Sequence, residues 1–164
     1  MSAAMDRERG LETSQHLQLR AWLRLLTCAN LVEKRVRLGL RESFDITLPR
    51  FDVLSQLARA LRDGEEGGIT MGALSQRMMV SAGNVTGLVD ALVADKLVVR
   101  QAQSKDRRQA RVKLTPKGLQ AFEAMLPTHE RWIDGAFAAL DESELKRLLA
   151  LLAKLKISAA GAAP

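Results

Sequence analysis

The chain is poor in the residues that build several common protein classes. Its 164 residues include one cysteine, no tyrosine, two tryptophans, four phenylalanines and four prolines. A lone Cys28 permits neither a disulfide within the chain nor a cysteine-cluster metal site. No run of 18 apolar residues is present, so no membrane-spanning helix and no membrane partner are expected. The first ten residues lack the apolar core of a signal peptide, and a cytoplasmic location is the expectation. β-Branched aliphatics are also scarce. Valine and isoleucine number 14 together, against 27 leucines and 23 alanines. That balance argues against an all-β sandwich and predicts a mainly helical chain. The motifs of a nucleophile elbow, a glycine-rich phosphate cradle and a zinc protease are missing. Neither His16 nor His129 makes a convincing metal pair with a nearby carboxylate. We therefore expect no enzymatic activity, no metal and no cofactor.

Acidic residues are outnumbered by basic ones. Lysine and arginine total 25 against 19 aspartates and glutamates, for a net charge of +6. With an isoelectric point near 10.0, the chain suits a polyanionic partner, but where the charge sits must decide.

Residues 1–14 read as a flexible arm. A long helical pattern follows from about Gln15 to Arg41. Trp22, Leu25, Leu26, Ala29, Val32, Val36 and Leu40 make one stripe, and Leu19, Leu23, Leu31 and Leu38 make another. A helix apolar on two sides needs two partners, its own domain and a second chain. Its remaining face carries Arg20, Arg24, Lys34, Arg35, Arg37 and Arg41, either a solvated basic surface or an anion site. Thr47-Leu48-Pro49 opens a second helix reaching Arg62. Asp63 to Gly68 is a glycine-rich loop, and Ile69 is a short strand or lead-in.

Thr70 is a cap for a short helix over Met71–Met79. Val80-Ser81 is a turn, and Ser81 caps a helix ending near Asp95. Val85, Leu88, Val89 and Leu92 form the buried stripe of that helix. Its other face, Ala82, Gly83, Asn84, Thr86, Gly87 and Asp90, is small and polar. Two short helices joined by a tight turn, the second with such a front, make a helix-turn-helix. Leu97–Gln101 and Ala110–Leu114 are strand patterns joined by a hairpin whose tip holds Lys105, Asp106, Arg107 and Arg108. The expected architecture is mainly α with a small β-hairpin wing. Thr115-Pro116 opens a further helix, in which Pro127 is expected to cause a kink or break. Asp141-Glu142-Ser143-Glu144 has the pattern of a capping box. It starts a last helix bearing Leu145, Leu148, Leu149, Leu152 and Leu155, and residues 158–164 read as a flexible tail.

These residues resemble the MarR family of bacterial transcriptional regulators. The most specific match is Asp106-Arg107-Arg108 followed by Leu114-Thr115. Leu74-Ser75, Val80-Ser81, Asn84-Val85-Thr86, Leu88 to Leu92 and Leu97 to Arg100 fit the same pattern. The resemblance covers about Gln15–Ile157 and implies a single domain over 15–157. Within it, 15–48 and 116–157 would serve mainly dimerisation, and 49–115 would form the DNA-binding winged helix. It also implies a homodimer, with a ligand pocket between the dimerisation helices and the winged helix. Trp22–Cys28, Leu48–Asp52 and Met79–Gly87 are similar to regulators of aromatic-acid and hydroxycinnamoyl-CoA catabolism. Candidate pocket residues are Trp22, Leu25, Cys28, Phe51, His129 and Trp132. The peroxide-sensing branch of the family pairs a reactive cysteine, near the start of the first helix, with tyrosines. With no tyrosine and a later position, Cys28 is read as a buried, inert thiol.

The candidate DNA contacts are Ser81, Gly83, Asn84, Thr86, Gly87, Lys105, Asp106, Arg107 and Arg108. Asn84 can pair with an adenine edge, and Thr86 can reach a phosphate or a thymine methyl. Ser81 can present its hydroxyl to a phosphate, while the two glycines permit close approach. The family pattern implies that Arg108 reaches DNA and that Asp106 holds the wing. The expected function is that of a dimeric, ligand-released repressor on a pseudo-palindromic operator of double-stranded DNA. A constitutive DNA-binding or architectural protein without an effector is the alternative.

Overall fold

The computed structural model describes residues 16–101 and 110–161. In chain order the elements are α1 (Leu17–Phe44), α2 (Leu48–Arg62), β1 (Ile69–Thr70), α3 (Met71–Met78), α4 (Ala82–Ala94), β2 (Val98–Gln101), β3 (Arg111–Leu114), α5 (Pro116–Phe137) and α6 (Glu142–Gly161). The three strands form an antiparallel sheet in the order β1-β3-β2. Ile69 pairs with Val112, and Arg100 also sits opposite Val112 on its other side. The chain is thus mainly helical with a small sheet, as its composition implies.

Local chemistry accounts for the boundaries. α1 stops where Asp45 adopts a left-handed conformation (φ 48°), donating its N–H to the Arg41 carbonyl. Thr47 is extended, and Pro49 takes a first-turn position where its missing N–H costs nothing. Thr70 Oγ1 accepts from the Ala73 N–H at 3.2 Å, and Thr115 Oγ1 from the Gly118 N–H at 2.9 Å. The capping box before α6 is reciprocal. Asp141 Oδ1 accepts from the Glu144 N–H, and Glu144 Oε2 from the Asp141 N–H, both at 2.9 Å. The Glu144 N–H, with Ser143, holds the Asp141 carboxyl below its ordinary pKa.

The core joins α2, α3, α4 and the sheet to the ends of α1 and α5. Leu40, Val53, Leu54, Leu74, Val85, Val89, Leu92 and Val112 are fully buried in it. No residue of α6 is buried. Leu17, Leu19, Trp22, Leu31 and Leu38 of α1 are exposed, as are Leu149, Leu151, Leu155 and Ile157 of α6.

Three expectations need correction. α5 runs unbroken through Pro127, so the break, one of the two outcomes expected there, does not occur. Pro127 and Glu123, whose carbonyl loses its helical donor, both lie on the exposed side, where water can take that bond. α6 continues to Gly161, so residues 158–161 are helical rather than part of a tail. Ala159 and Ala160 have the highest intrinsic helix preference, which carries the last turn. Cys28 is exposed in this chain rather than buried, because the N-terminal half of α1 extends past the core.

Candidate nucleic-acid interface

The turn between α3 and α4 is fixed by a few bonds. Met79 ends α3 in the left-handed region (φ 55°), and its N–H reaches the Gln76 carbonyl at 3.2 Å. The Val80 N–H donates to the Ser75 carbonyl at 3.2 Å. Ser75 Oγ donates back to the Val80 carbonyl at 2.6 Å, tying the turn to α3. Ser81 is the N-cap of α4, its Oγ accepting from the Asn84 N–H at 3.4 Å.

α4 buries Val85, Val89 and Leu92 at 0% exposure, which turns the opposite side fully to solvent. Ser81, Ala82, Gly83, Asn84, Thr86, Gly87 and Asp90 are all exposed there. The helix-turn-helix residues expected from the sequence therefore share one face. A methyl added to Gly83 or Gly87 would meet nothing within 4 Å, so packing does not require glycine at either place. Thr86 Oγ1 donates to the Ala82 carbonyl at 3.0 Å. Its hydroxyl proton is committed to the helix, which leaves the exposed side chain a methyl group and an acceptor oxygen. No acidic residue lies in the first turn, so the partial positive charge of the helix start is not neutralised from within.

Charged side chains flank this face. Arg100 on β2 pairs with Asp90 at 2.8 Å, tying the sheet to α4. Arg77 on α3 pairs with Glu65 at 2.6 Å, and Arg50 on α2 pairs with Asp95 just beyond α4. Arg111 Nη1 donates to the Gly68 carbonyl at 2.7 Å. Lys105, Asp106, Arg107 and Arg108 lie outside the described residues.

A backbone contact that the sequence reading missed fixes how α5 meets the sheet. A methyl on Gly118 would fall 1.9 Å from the Leu97 carbonyl oxygen. That oxygen also accepts from the Thr115 N–H at 3.0 Å and from Thr115 Oγ1 at 3.2 Å. Thr-Pro-Lys-Gly signals a helix start, but nothing local in it signals a neighbour this close.

The six candidate pocket residues divide into two groups. Phe51 is buried and stacks on His129 at 4.8 Å between ring centroids, with Phe122 at 5.4 Å on another side. Burial lowers the His129 pKa. Trp132 meets the edge of Phe44 at 6.4 Å and lies against Gly39, where a methyl would fall 2.5 Å from the indole. Beside Phe51, burial and the Glu33 carboxylate push Asp52 up to about 6. Trp22, Leu25 and Cys28 lie elsewhere. Trp22 is 17 positions before Gly39 on the same helix, roughly 25 Å along its axis, and is 55% exposed. Within one chain the two groups do not meet. Periodicity could place all six on faces, but not at the same height.

Among the described residues no helix is long and apolar enough to cross a membrane, and no group of His, Cys, Asp and Glu is arranged to hold a metal ion.

Comparison with known proteins matches residues 44–109 to the MarR family. The uncharacterised HTH-type transcriptional regulator YkoM of Bacillus subtilis is 33% identical over 51% of this chain. The transcriptional activatory protein BadR of Rhodopseudomonas palustris is 30% identical over 70% of it. The aligned segments span only 54% and 63% of those two relatives. A solved MarR family transcriptional regulator from Silicibacter pomeroyi also matches. It is 30% identical with a TM-score of 0.73, covering 90% of this chain and 99% of that one. With that match covering nearly all of the solved regulator, the chain belongs to the MarR family of winged-helix transcriptional regulators.

Proposed function

We propose that the protein is a homodimeric, sequence-specific DNA-binding repressor whose operator affinity is lowered by a small aromatic acid or aryl-CoA ligand. The exposed, uncharged front of α4 carries this reading. Its glycines are required by neither packing nor backbone conformation, and each costs the helix roughly 0.5–1 kcal/mol relative to alanine. A surface that approaches a groove closely is a reason to keep them. Asn84 reads a base edge, Ser81 and the helix start meet phosphate, and the arginines of the wing, Arg107 and Arg108, extend the contact.

Dimerisation follows from the two exposed apolar surfaces. Leu149 and Ile157 of α6 are 68% and 75% exposed, and Leu17 and Trp22 of α1 are 64% and 55% exposed. Apolar residues exposed in such number on α1 and α6 support an association surface. A twofold axis then sets two copies of α4 about one helical turn apart, and a pseudo-palindrome is the matching operator.

The proposed ligand site is the Phe51, His129 and Trp132 group, at the junction of α1, α2 and α5. A ligand that binds better when the two recognition helices are misplaced lowers DNA affinity by its differential binding. The aromatic class rests on the sequence similarity described above.

The test combines sedimentation with DNA titration. A stable monomer at micromolar concentration would sink the dimer. Equal affinity for a duplex enriched from a random library and for an unselected duplex would sink sequence-specific binding. Aromatic carboxylates and their CoA thioesters that neither raise the melting temperature nor weaken operator binding would leave the constitutive alternative.

A further inference from the structure

Met79 is anomalous twice. It is 93% exposed, the most exposed of the large apolar side chains among the described residues, and it occupies a left-handed backbone conformation with φ 55°. That conformation suits glycine, and a residue with a Cβ holds it at a cost. Neither core packing nor backbone preference therefore accounts for methionine here. The left-handed conformation closes α3 as a C-cap, but that role needs no methionine side chain.

The surroundings indicate what the side chain does. Met79 lies two residues before the N-cap of α4, in the turn that leads into the exposed first turn of that helix. The front of α4 offers the methyl of Ala82, the open backbone at Gly83 and Gly87, and exposed Thr86, whose hydroxyl proton is bonded to the helix at 3.0 Å. From Ala82 to Val89 the helix carries no charged side chain. Beside Ser81 and Asn84, such a surface offers small apolar groups and no charge. In the major groove the apolar feature that varies with sequence is the thymine 5-methyl group.

We propose that Met79 is a specificity-determining residue that reads a thymine methyl in each half-site, with Ala82 and Thr86 completing the apolar contact. The proposal rests on α4 being the DNA-reading helix.

Deoxyuridine tests it, since it differs from thymidine by that methyl alone. An operator duplex is enriched from a random library, and each thymine is then replaced singly by deoxyuridine. Affinities are measured for the wild type, Met79→Gly and Met79→Leu. At one thymine per half-site, loss of the methyl should weaken wild-type binding three- to fivefold, about the equivalent of one buried methylene. The same replacement should cost Met79→Gly nothing, and Met79→Leu should regain most of the sensitivity. Thermal unfolding of Met79→Gly should be unchanged or raised, because glycine relieves the positive φ. Deoxyuridine that costs wild type and Met79→Gly equally, or costs neither, would overturn the proposal while leaving operator binding intact. Failure to enrich any duplex would overturn the reading of α4 itself, and this proposal with it.

Discussion

The glycines of this chain should respond to alanine with opposite signs. At Gly118 a new methyl falls 1.9 Å from the Leu97 carbonyl oxygen, a backbone atom. That oxygen cannot retreat without weakening its bonds from Thr115 N and Oγ1. Overpacking costs about 1–3 kcal/mol, and a weakened hydrogen bond adds about 1. Alanine returns about 1 kcal/mol of helix preference. Gly118→Ala should therefore destabilise by about 1–3 kcal/mol, lowering the melting temperature by very roughly 2–10 °C. At Gly87 the same change meets open space within α4. The helix preference is uncompensated, and Gly87→Ala should raise the melting temperature by about 2–4 °C. Gly83→Ala, in the first turn, should act in the same direction with a smaller effect. If these two glycines permit close approach to a groove, Gly87→Ala should also bind operator about tenfold more weakly, the equivalent of about 1.4 kcal/mol. Circular dichroism melts at one fixed protein concentration measure the first effect, since an oligomer's melting depends on concentration. Fluorescence anisotropy on labelled duplex measures the second. Gly118→Ala melting at or above wild type would refute the close-contact argument. A stabilised Gly87→Ala with undiminished operator affinity would refute the close-approach argument for DNA.

Asn84 and Arg108 should separate base reading from backbone contact. Asn84→Ala should cost roughly 1–3 kcal/mol on a selected operator, little on random duplex, and leave the salt slope nearly unchanged. Arg108→Ala should weaken both duplexes and flatten that slope by about one unit. Cys28→Ser should keep operator affinity and effector response, and peroxide should not release the wild type from DNA. Peroxide-driven release abolished by the substitution would make the exposed Cys28 thiol a sensor. For Asp52, the folded pKa of about 6 lies above the ordinary aspartate value of 3.8, so the folded state holds the proton more tightly than the unfolded chain. Stability from this group is greatest below about pH 4 and declines as pH rises to about 6. Asp52→Asn should remove that decline and raise the melting temperature at pH 7. A pH series of melts with identical slopes for the two proteins would contradict it.

The sequence by itself determined what depends on near neighbours. Thr70, Ser81, Thr115 and Asp141 can be recognised as caps because capping needs a short oxygen side chain and an N–H three residues on. The face of α4 can be read because helical periodicity separates Val85, Val89 and Leu92 from Asn84 and Gly87 with no knowledge of what they pack against. The wing strands can be read from alternation in Ala110 to Leu114. What only the tertiary structure decided is height, contact and exposure. Periodicity gives an angle around a helix but not which other helix lies beside a given turn, so Trp22 and Trp132 looked like parts of one pocket although they stand far apart along α1. Gly118 is ordinary in sequence and irreplaceable in space, because its neighbour Leu97 comes from another segment of backbone. The chain continues as helix through Pro127, because loss of one exposed hydrogen bond is outweighed by packing of Phe122, Met125 and Ile133 on either side. Met79 carries no local sign of its exposure. A methionine among helix residues reads as core until the fold turns it outward beside α4.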